Sequence, residues 1–538
     1  MIGSASLGKW TVGSLIVLLA AAAASFFWVD HQLRRFAGAY TDVVDHAGLA
    51  PSRGVTTIAN VNVLSPDGTA MIGGQTVVFD RDGIISITDA LERSSQDVST
   101  VDGSGHYLIP GLVDSHVHLK QSPNDLLLYV ANGVTQVREM SGNADHLRWR
   151  NEIKAGRLGP RIFVASEKLG SWGWSEGRFQ RWTRNRINVN TDDDVAALTR
   201  SMSEDGFDAI KLGSLLDKDV YRQVNSAAER AGIPVIGHLP VSVGLEDLWS
   251  SGQDEVGHIE EIAKALDAEF GYFNSRNAHE YLAFVEVRSG DVAEKLANHG
   301  IAVTSSLWLM ESIPRQKFEL DVLLDEIQLV YANPGLVEGT PLSRGWLPGN
   351  NAYALGPDAS AAEREANRIY WTTFAKAHHV LLAAMRDKGV QLMAGTDANN
   401  AGAVPGYSLH DELQSMTRAG LSPVQALRAA RCNHGAGRLD ESPIRKGAAR
   451  LPRRHGAAEE QSAGCDREHP NDRGRCRQRR FHRSHRPGRP SERSQGGQRP
   501  QQVGSPRPKC RAIARSGCNG PRELPFRANG PDTCVGTC

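Results

Sequence analysis

The stretch LIPGLVDSHVHL, residues 108–119, is an apolar run that carries His116 and His118 near its carboxyl end. Side chains two positions apart on a β-strand point to the same side, so both imidazoles would lie on one face of such a strand. This geometry suits two ligands of one metal ion. A His-x-His pair by itself is more often structural, however, so the rest of the chain has to decide.

From residue 108 to about 430 the sequence alternates apolar runs, turns marked by Gly or Pro, and amphipathic helices, which is typical of a parallel α/β fold. Eight parallel strands with helices between them make a (β/α)8 TIM barrel. The eight predicted strands are 108–118, 133–140, 161–169, 207–213, 233–239, 254–260, 301–307 and 390–397. Between the last two, residues 308–370 form a long insertion that is rich in Pro, Gly and Asn around residues 333–360, and for which we predict a lid or substrate loop.

Four more side chains of types that bind metals lie at the ends of predicted strands. Lys211 ends the fourth strand, His238 the fifth, His258 the sixth and Asp397 the eighth. Each has a structural interpretation as a hydrogen-bonded strand-end residue or, for Lys211, as a lysine that reaches solvent. Together with the histidine pair, however, they would gather at the carboxyl ends of the strands, where barrel enzymes keep their active sites.

The ligand types predict the chemistry. Imidazole nitrogen and carboxylate oxygen suit Zn²⁺ or a similar divalent ion. Such an ion lowers the pKa of a bound water toward ~7 and polarises a carbonyl group. Asp397 would accept the proton of the water and pass it to a leaving nitrogen. We therefore expect hydrolysis of a C–N bond in a small-molecule substrate with an amide-like group.

These motifs resemble the metal-dependent amidohydrolase superfamily, within its imidazolonepropionase-like and prolidase-like branch. The resemblance covers about residues 56–430, and its motifs occur in order along the chain. They are YLIPGLVDSHVH (107–118), GVTQVREM (133–140), Ile210-Lys211, GHLP (237–240), Gly257-His258 and Gly395-Thr396-Asp397.

The resemblance implies a (β/α)8 barrel beside a small β-sandwich domain and a site for one or two divalent ions, with zinc as the expected metal. The implied ligands are His116, His118, Lys211, His238, His258 and Asp397. The first two histidines would bind one ion and the other two a second, with a carboxylated Lys211 as the bridge and Asp397 as ligand and catalytic base. Members of this branch hydrolyse cyclic amides or act as dipeptidases, including on prolyl dipeptides.

Other residues of the predicted barrel have two interpretations each. Arg138 and Glu139, on the second predicted strand, are substrate contacts or a structural ion pair, and the ion pair is favoured. Four tryptophans in predicted loops would line the substrate pocket or simply pack: Trp172, Trp174, Trp308 and Trp346.

The N-terminal segment contains an uncharged run over residues 10–29, long enough to span a bilayer. The alternative is a cleaved signal peptide, because the run contains a series of alanines. We predict a signal peptide or membrane anchor over residues 1–35, a linker over 36–55, and an enzyme that is membrane-anchored or exported to the extracytoplasmic side. Residues 56–107 alternate β-prone runs and turns, which predicts a small β domain; the runs are 56–64, 75–80 and 84–87.

The last part of the chain differs in composition from the rest. The 61 basic and 61 acidic residues balance overall, but residues 1–431 carry a net charge of −13 and the tail from Cys432 onward carries +13. All seven cysteines lie in this tail, which has no Trp or Tyr. In the family that the chain resembles, this region returns to the small β domain and supplies its closing strands. No such pattern is visible over residues 431–538.

Three interpretations of the tail remain: a disordered basic tail, a nucleic-acid-binding extension, or translation in a shifted reading frame. Permitted codons read one base later give a β-rich string that resembles the closing strands of the family, so we favour the shifted frame. We expect no nucleic-acid partner, because Phe481 and Phe526 are the only aromatic residues available for base stacking. Without closing strands the small domain would have unpaired edges, and an inactive product is the alternative to an enzyme.

Overall fold

The computed structural model describes residues 4–49, 54–66, 68–80, 83–89 and 99–431. The tail from Cys432 onward lies outside the described residues, and so do its three interpretations. The described chain begins with helix α1, Ser4–Phe36.

A five-stranded sheet follows α1. Its strands are β1 Thr56–Leu64, β2 Met71–Asp80, β3 Gly83–Thr88, β4 Ser99–Asp102 and β5 Tyr107–Leu108. The order is β3-β2-β1-β4, with β5 also paired to β1; β2 runs antiparallel to β1 and β3, whereas β4 and β5 run parallel to β1. The three β-prone runs of the sequence lie in β1, β2 and β3. Within the described residues the strands of this region form one sheet, without the second layer of a sandwich.

An apolar cleft of about 160 Å³ opens beside this sheet. Its walls come from β1, β2, β3, β5 and the segment after β5, and include Val63, Ile72, Ile87 and Leu108. Arg431, the last described residue, also lines it. The cleft therefore lies where the described chain ends.

Eight short parallel strands follow, and each lies within one of the eight predicted strands. They are β6 Leu112–Val117, β7 Val134–Glu139, β8 Arg161–Val164, β11 Ile210–Leu212, β12 Val235–Gly237, β13 Glu255–Val256, β14 Ala302–Thr304 and β15 Leu392–Met393. Two further strands, β9 Leu169–Gly170 and β10 Ile187–Asn188, pair with each other.

The eight strands form two parallel sheets, β6-β7-β8 and β11-β12-β13-β14-β15. Isolated parallel bridges join the two sheets at both edges. One bridge pairs Val117, the last residue of β6, with Ala398, which follows β15, and the other pairs Ala165 with Ala209, next to β8 and β11. The expected mixed α/β architecture with parallel strands is thus confirmed.

Helices connect these strands. They are α2 Asp125–Ala131, α3 Ala144–Lys154, α4 Trp174–Arg184, α5 Asp192–Asp205, α6 Lys218–Ala231, α7 Leu245–Trp249, α8 Ile259–Phe270, α9 Ala278–Asn298, α10 Leu307–Phe318, α11 Leu320–Glu326, α12 Pro334–Glu338, α13 Ala361–Asp387, α14 Tyr407–Arg418 and α15 Pro423–Ala429. Helix α5 shows why such ends can be read from sequence. The Thr191 hydroxyl caps its first turn, and Gly206 ends it with a positive φ of 78°.

The long insertion over residues 308–370 is more regular than its Pro, Gly and Asn content suggests. Helices α10, α11 and α12 and the start of α13 lie in it. Trp308 and Trp346 are buried, as is Trp172, whereas Trp174 is exposed. Three of the four tryptophans thus pack inside the protein.

Helix α1 contains a 23-residue segment, Ser14–Phe36, that is long and apolar enough to cross a membrane. Length and composition alone support this, and a signal sequence has the same properties. In the part of the chain that the structure describes, no other helix is of this kind. The side chains of residues 14–28 are exposed.

Candidate metal centre

The histidine pair meets Asp397 at the carboxyl ends of two neighbouring strands. His116 and His118 lie at or just beyond the end of β6, and Asp397 follows β15. The Nε2 atom of His118 is 3.0 Å from Asp397 Oδ1, and Nε2 of His116 is 3.6 Å from the same oxygen. One nitrogen or oxygen of each residue lies within 4.8 Å of the others, close enough for a shared ion.

Lys211, His238 and His258 extend this cluster from three further strands. Lys211, on β11, places its Nζ 3.3 Å from His116 Nε2. The Nε2 atom of His258 is 4.0 Å from Asp397 Oδ2, and the His238 ring centroid is 5.3 Å from that of His258. All six residues predicted as ligands therefore lie in one buried cluster.

Local backbone geometry fixes Asp397. The residue has a positive φ of 56°, which is uncommon for a residue other than glycine. Its N–H donates to the His116 carbonyl oxygen at 2.8 Å, and the preceding Thr396 donates to both oxygens of Asp114. A Cβ atom on Gly395 would lie only 2.8 Å from His116 Cβ. The Gly-Thr-Asp motif is thus required for the close approach of the two strands.

Two serines orient the histidines that come from the fifth and sixth strands. The Ser214 hydroxyl lies 2.5 Å from His238 Nδ1, and the Ser306 hydroxyl lies 2.9 Å from His258 Nδ1. Glu412 on α14 in turn fixes Ser306, because it accepts the next two backbone N–H groups at 3.0 and 2.7 Å. These contacts direct each Nε2 atom toward the cluster, as hydrogen bonds to metal-binding histidines usually do.

Burial keeps three of the imidazoles neutral. It lowers the pKa of His116 and His238 well below the ordinary value for histidine, with neighbouring cationic groups as smaller causes, and it lowers the pKa of His258 to about 3 although the charge of Asp397 opposes that shift. Nε2 of His258, which faces Asp397, is buried without a hydrogen-bond partner. An unsatisfied buried nitrogen costs about 1–3 kcal/mol, so this atom fits a site that a metal ion would complete.

Lys168 is a buried residue of this site that the sequence interpretation missed. It follows β8, and its charge contributes, after burial, to lowering the pKa of Lys211 to about 7. A lysine inside the apolar run 161–169 was the available signal, and it is the same signal that singled out Lys211. Ser214, Ser306 and Glu412 gave no comparable signal, because each acts through a contact with a distant part of the chain.

Arg138 forms a structural ion pair, but its partner is not Glu139. Its Nη2 atom lies 2.5 Å from Glu255 Oε2, and both side chains are fully buried. Glu139 instead accepts the backbone N–H groups of Leu119 and Ser141 and lies 3.8 Å from His118 Nδ1. Adjacent residues of a strand point to opposite faces, which is why this pair separates.

No protein-family model and no curated protein sequence matches the chain. Among solved structures, the fold resembles bottromycin amidohydrolase, with a TM-score of 0.53 and 21% identity over 74% of this chain and 82% of the other. A putative prolidase from Bifidobacterium longum (17% identity, 71% of this chain and 82% of the other, TM-score 0.47) and molinate hydrolase (15%, 71% and 84%, TM-score 0.48) are more distant.

At this level of identity the likeness to bottromycin amidohydrolase concerns the fold alone. The solved structures that resemble the chain also include proteins described as a prolidase and as an amidohydrolase. The chain therefore has the fold of an amidohydrolase, which confirms, for the fold, the resemblance seen in the sequence.

Proposed function

We propose that the chain is a metal-dependent amidohydrolase that cleaves a C–N bond in a cyclic amide or a similar small molecule. The observation that carries this proposal is the cluster of six metal-type side chains at the carboxyl ends of five parallel strands. Imidazoles, three of them buried and neutral, beside an ionised carboxylate are the donor set of a divalent metal ion.

We also infer that the two parallel sheets close into one (β/α)8 barrel. Backbone hydrogen bonds support closure at both junctions. At one junction Ser115 N donates to Ala394 O at 2.9 Å, and at the other Ser166 N donates to Ala209 O at 2.8 Å. Eight strands arranged in a closed ring would place the cluster at the carboxyl-terminal face, where barrel enzymes bind their substrates.

The six residues fit one or two ions such as Zn²⁺, with the histidine pair and Asp397 at one position and His238 and His258 at the other. A bound ion would supply Lewis-acid polarisation of a carbonyl and activation of a water molecule. Burial opposes ionisation of Asp397, but His258 and His118 outweigh it and hold its pKa below the ordinary value. Asp397 is thus ionised and would accept the proton of the water and transfer it to the leaving nitrogen.

Lys211 would bridge two ions as its carbamate. With a pKa of about 7, lowered first by burial and then by Lys168, part of the amine is uncharged at neutral pH. The uncharged amine attacks CO₂, forms an N–C bond and releases one proton. The resulting carboxylate would add two oxygen ligands to the cluster.

The proposal is tested on the full chain, expressed with added Zn²⁺ and bicarbonate and purified in detergent. Metal content and hydrolysis of a panel of cyclic amides and dipeptides are measured. We expect bound metal in the wild type and loss of both metal and hydrolysis in Lys211→Ala. Lys388→Ala, which changes an exposed lysine paired with Glu294, is the matched control and should keep both. Full hydrolysis by Lys211→Ala would contradict the proposed role.

A dipeptidase acting on Xaa-Pro or similar dipeptides is the second candidate. The buried Lys168 favours it, because a positive charge beside the cluster would attract the carboxylate of a dipeptide. Lys168→Met should then raise KM for dipeptides more than KM for uncharged cyclic amides, since an effect through Lys211 would change both classes alike. An equal change for both classes would argue against a dipeptide substrate.

For the ends of the chain we propose an uncleaved N-terminal anchor on an exported enzyme and a shifted reading frame in the tail. The contacts of Phe26, Arg35 and Phe36 with the rest of the protein support retention of helix α1. The mass of the mature protein isolated from membranes tests whether the helix is retained.

The apolar cleft beside the small sheet supports the proposal that closing strands of this sheet are missing. Resequencing the DNA across codons 425–440 tests the proposed shift of the reading frame. If the DNA confirms the present reading frame, the inactive product is favoured.

A further inference from the structure

The end of helix α1 rests on loops that lie at the carboxyl ends of the strands. Gln121 N, in the loop after β6, donates to Ala37 O at 2.9 Å. Arg35 Nη2 donates to Glu338 Oε2 on α12, at 2.8 Å. The Phe26 ring stacks on Trp182 of α4 with the centroids 4.7 Å apart. The apolar helix therefore leaves the protein from the same face that holds the candidate metal centre.

The distance from this junction to the metal centre is short. Gln121 is three residues beyond His118, so their Cα atoms are at most about 11 Å apart. The uncharged run 10–29, which ends before the docked residues Arg35 and Phe36, is about 30 Å long as a helix, which matches the thickness of a bilayer core. If α1 crosses a membrane, the lipid surface lies close to the mouth of the site.

Helix α4 has the composition of a helix that lies on a membrane surface. Only Gly177 of its residues is buried. Trp174 is 76% exposed and Phe179 is 55% exposed, and exposed arginines flank them, including Arg178 and Arg184. Arg178 lies over the Trp174 ring at 4.8 Å. Aromatic residues at the level of the headgroups and arginines near anionic lipids are typical of interfacial helices.

A lipid surface explains these features better than a protein partner. The exposed apolar side chains of residues 14–28 need a continuous apolar environment, which a bilayer provides. The contact of Phe26 with Trp182 continues that environment directly onto α4. Arg181 pairs with Glu167, and the other two arginines of α4, Arg178 and Arg184, still outnumber its one acidic residue, Glu176, which matches a surface of anionic headgroups.

We propose that the face carrying the metal centre lies on an anionic lipid surface, with α4 as its interfacial helix, and that the site takes an amphiphilic amide whose apolar tail stays in that surface. The substrate class rests on the proposed hydrolase function. The proposed contact with lipid does not rest on that function, since it is argued from α1 and α4 alone.

Lipid contact is tested by tryptophan quenching in nanodiscs of phosphatidylcholine and phosphatidylglycerol, with or without brominated acyl chains. The full chain, Trp174→Phe and Trp249→Phe are compared, and each difference from wild type gives the emission of one tryptophan. Trp249 stacks on His299, near the amino end of β14, and is the control at the opposite face. We expect brominated lipid to quench most of the Trp174 emission and little of the Trp249 emission. Equal quenching of both overturns the proposed orientation.

The substrate class is tested with two amides that share the scissile bond but differ in acyl-chain length. In vesicles we expect the wild type to prefer the long-chain amide at least tenfold in kcat/KM. This preference should be several-fold smaller in Phe179→Glu. Val287→Glu, at an exposed apolar position of α9, should keep the wild-type preference. Equal rates on both amides overturn the amphiphilic substrate. If no amide is hydrolysed, the proposed function fails, while the quenching result still decides whether lipid is bound.

Discussion

The buried ion pair of Arg138 and Glu255 allows a quantitative test of the protein interior between the parallel strands. Both side chains are fully buried, the charged atoms are 2.5 Å apart, and the Thr304 hydroxyl donates to the second carboxylate oxygen at 2.8 Å. Arg138 also lies over the Phe163 ring at 4.8 Å. Arg138→Met would leave Glu255 buried without a countercharge. We expect the free energy of unfolding to fall by about 3–5 kcal/mol.

Urea unfolding followed by tryptophan fluorescence measures this change in the wild type, Arg138→Met, Glu255→Gln and the double variant. The double variant should lose less than the sum of the single losses, by at least about 2 kcal/mol, because it has no unpaired buried charge. Arg148→Met is the matched control: Arg148 pairs with Asp145 at 2.8 Å but is exposed, and such pairs contribute below about 1 kcal/mol. A similarly small loss for Arg138→Met would refute the dry, fully buried pair.

Three further predictions concern the metal centre and a surface network. His258→Ala should abolish retention of one metal equivalent, as measured by elemental analysis after dialysis. Ser306→Ala should weaken metal affinity about 10- to 100-fold in a chelator titration, since His258 loses the group that orients its ring. Burial opposes ionisation of Glu311, but hydrogen bonds from His379 and Arg418 outweigh it and lower its pKa. Its stabilisation is therefore present above the unfolded pKa of about 4.3 and is lost in acid. Glu311→Gln should be less stable than wild type at pH 7, and the two should converge as the pH falls below 4.

The positions of the strands could be predicted because local signals agree with the fold. Each apolar run is bounded by Gly or Pro, and strand-end polar residues such as Lys211 and Asp397 stand out against it. The strands are shorter than their apolar runs. At β13, for example, pairing covers only Glu255–Val256, because His258 is already the N-cap residue of α8.

The contacts that complete the site could not be predicted, because they join distant segments. Glu412 positions Ser306 across 106 positions of sequence, and Arg138 pairs with Glu255 across 117. No periodic pattern encodes either contact. The helices of the insertion were missed for another reason. The Pro residues that suggested an irregular loop include Pro334, which starts α12 at a position where proline is favoured.

The contacts at the carboxyl end of α1 limit how the protein can be changed to make it more soluble in water. Deleting residues 1–36 would remove the Arg35 bond to Glu338 and the contact of Phe36 with Lys120, two positions from His118. The shortened protein would gain solubility but lose support for the segment next to the histidine pair. Replacing the exposed apolar side chains of residues 14–28 with polar ones, while keeping residues 29–44, would retain that support.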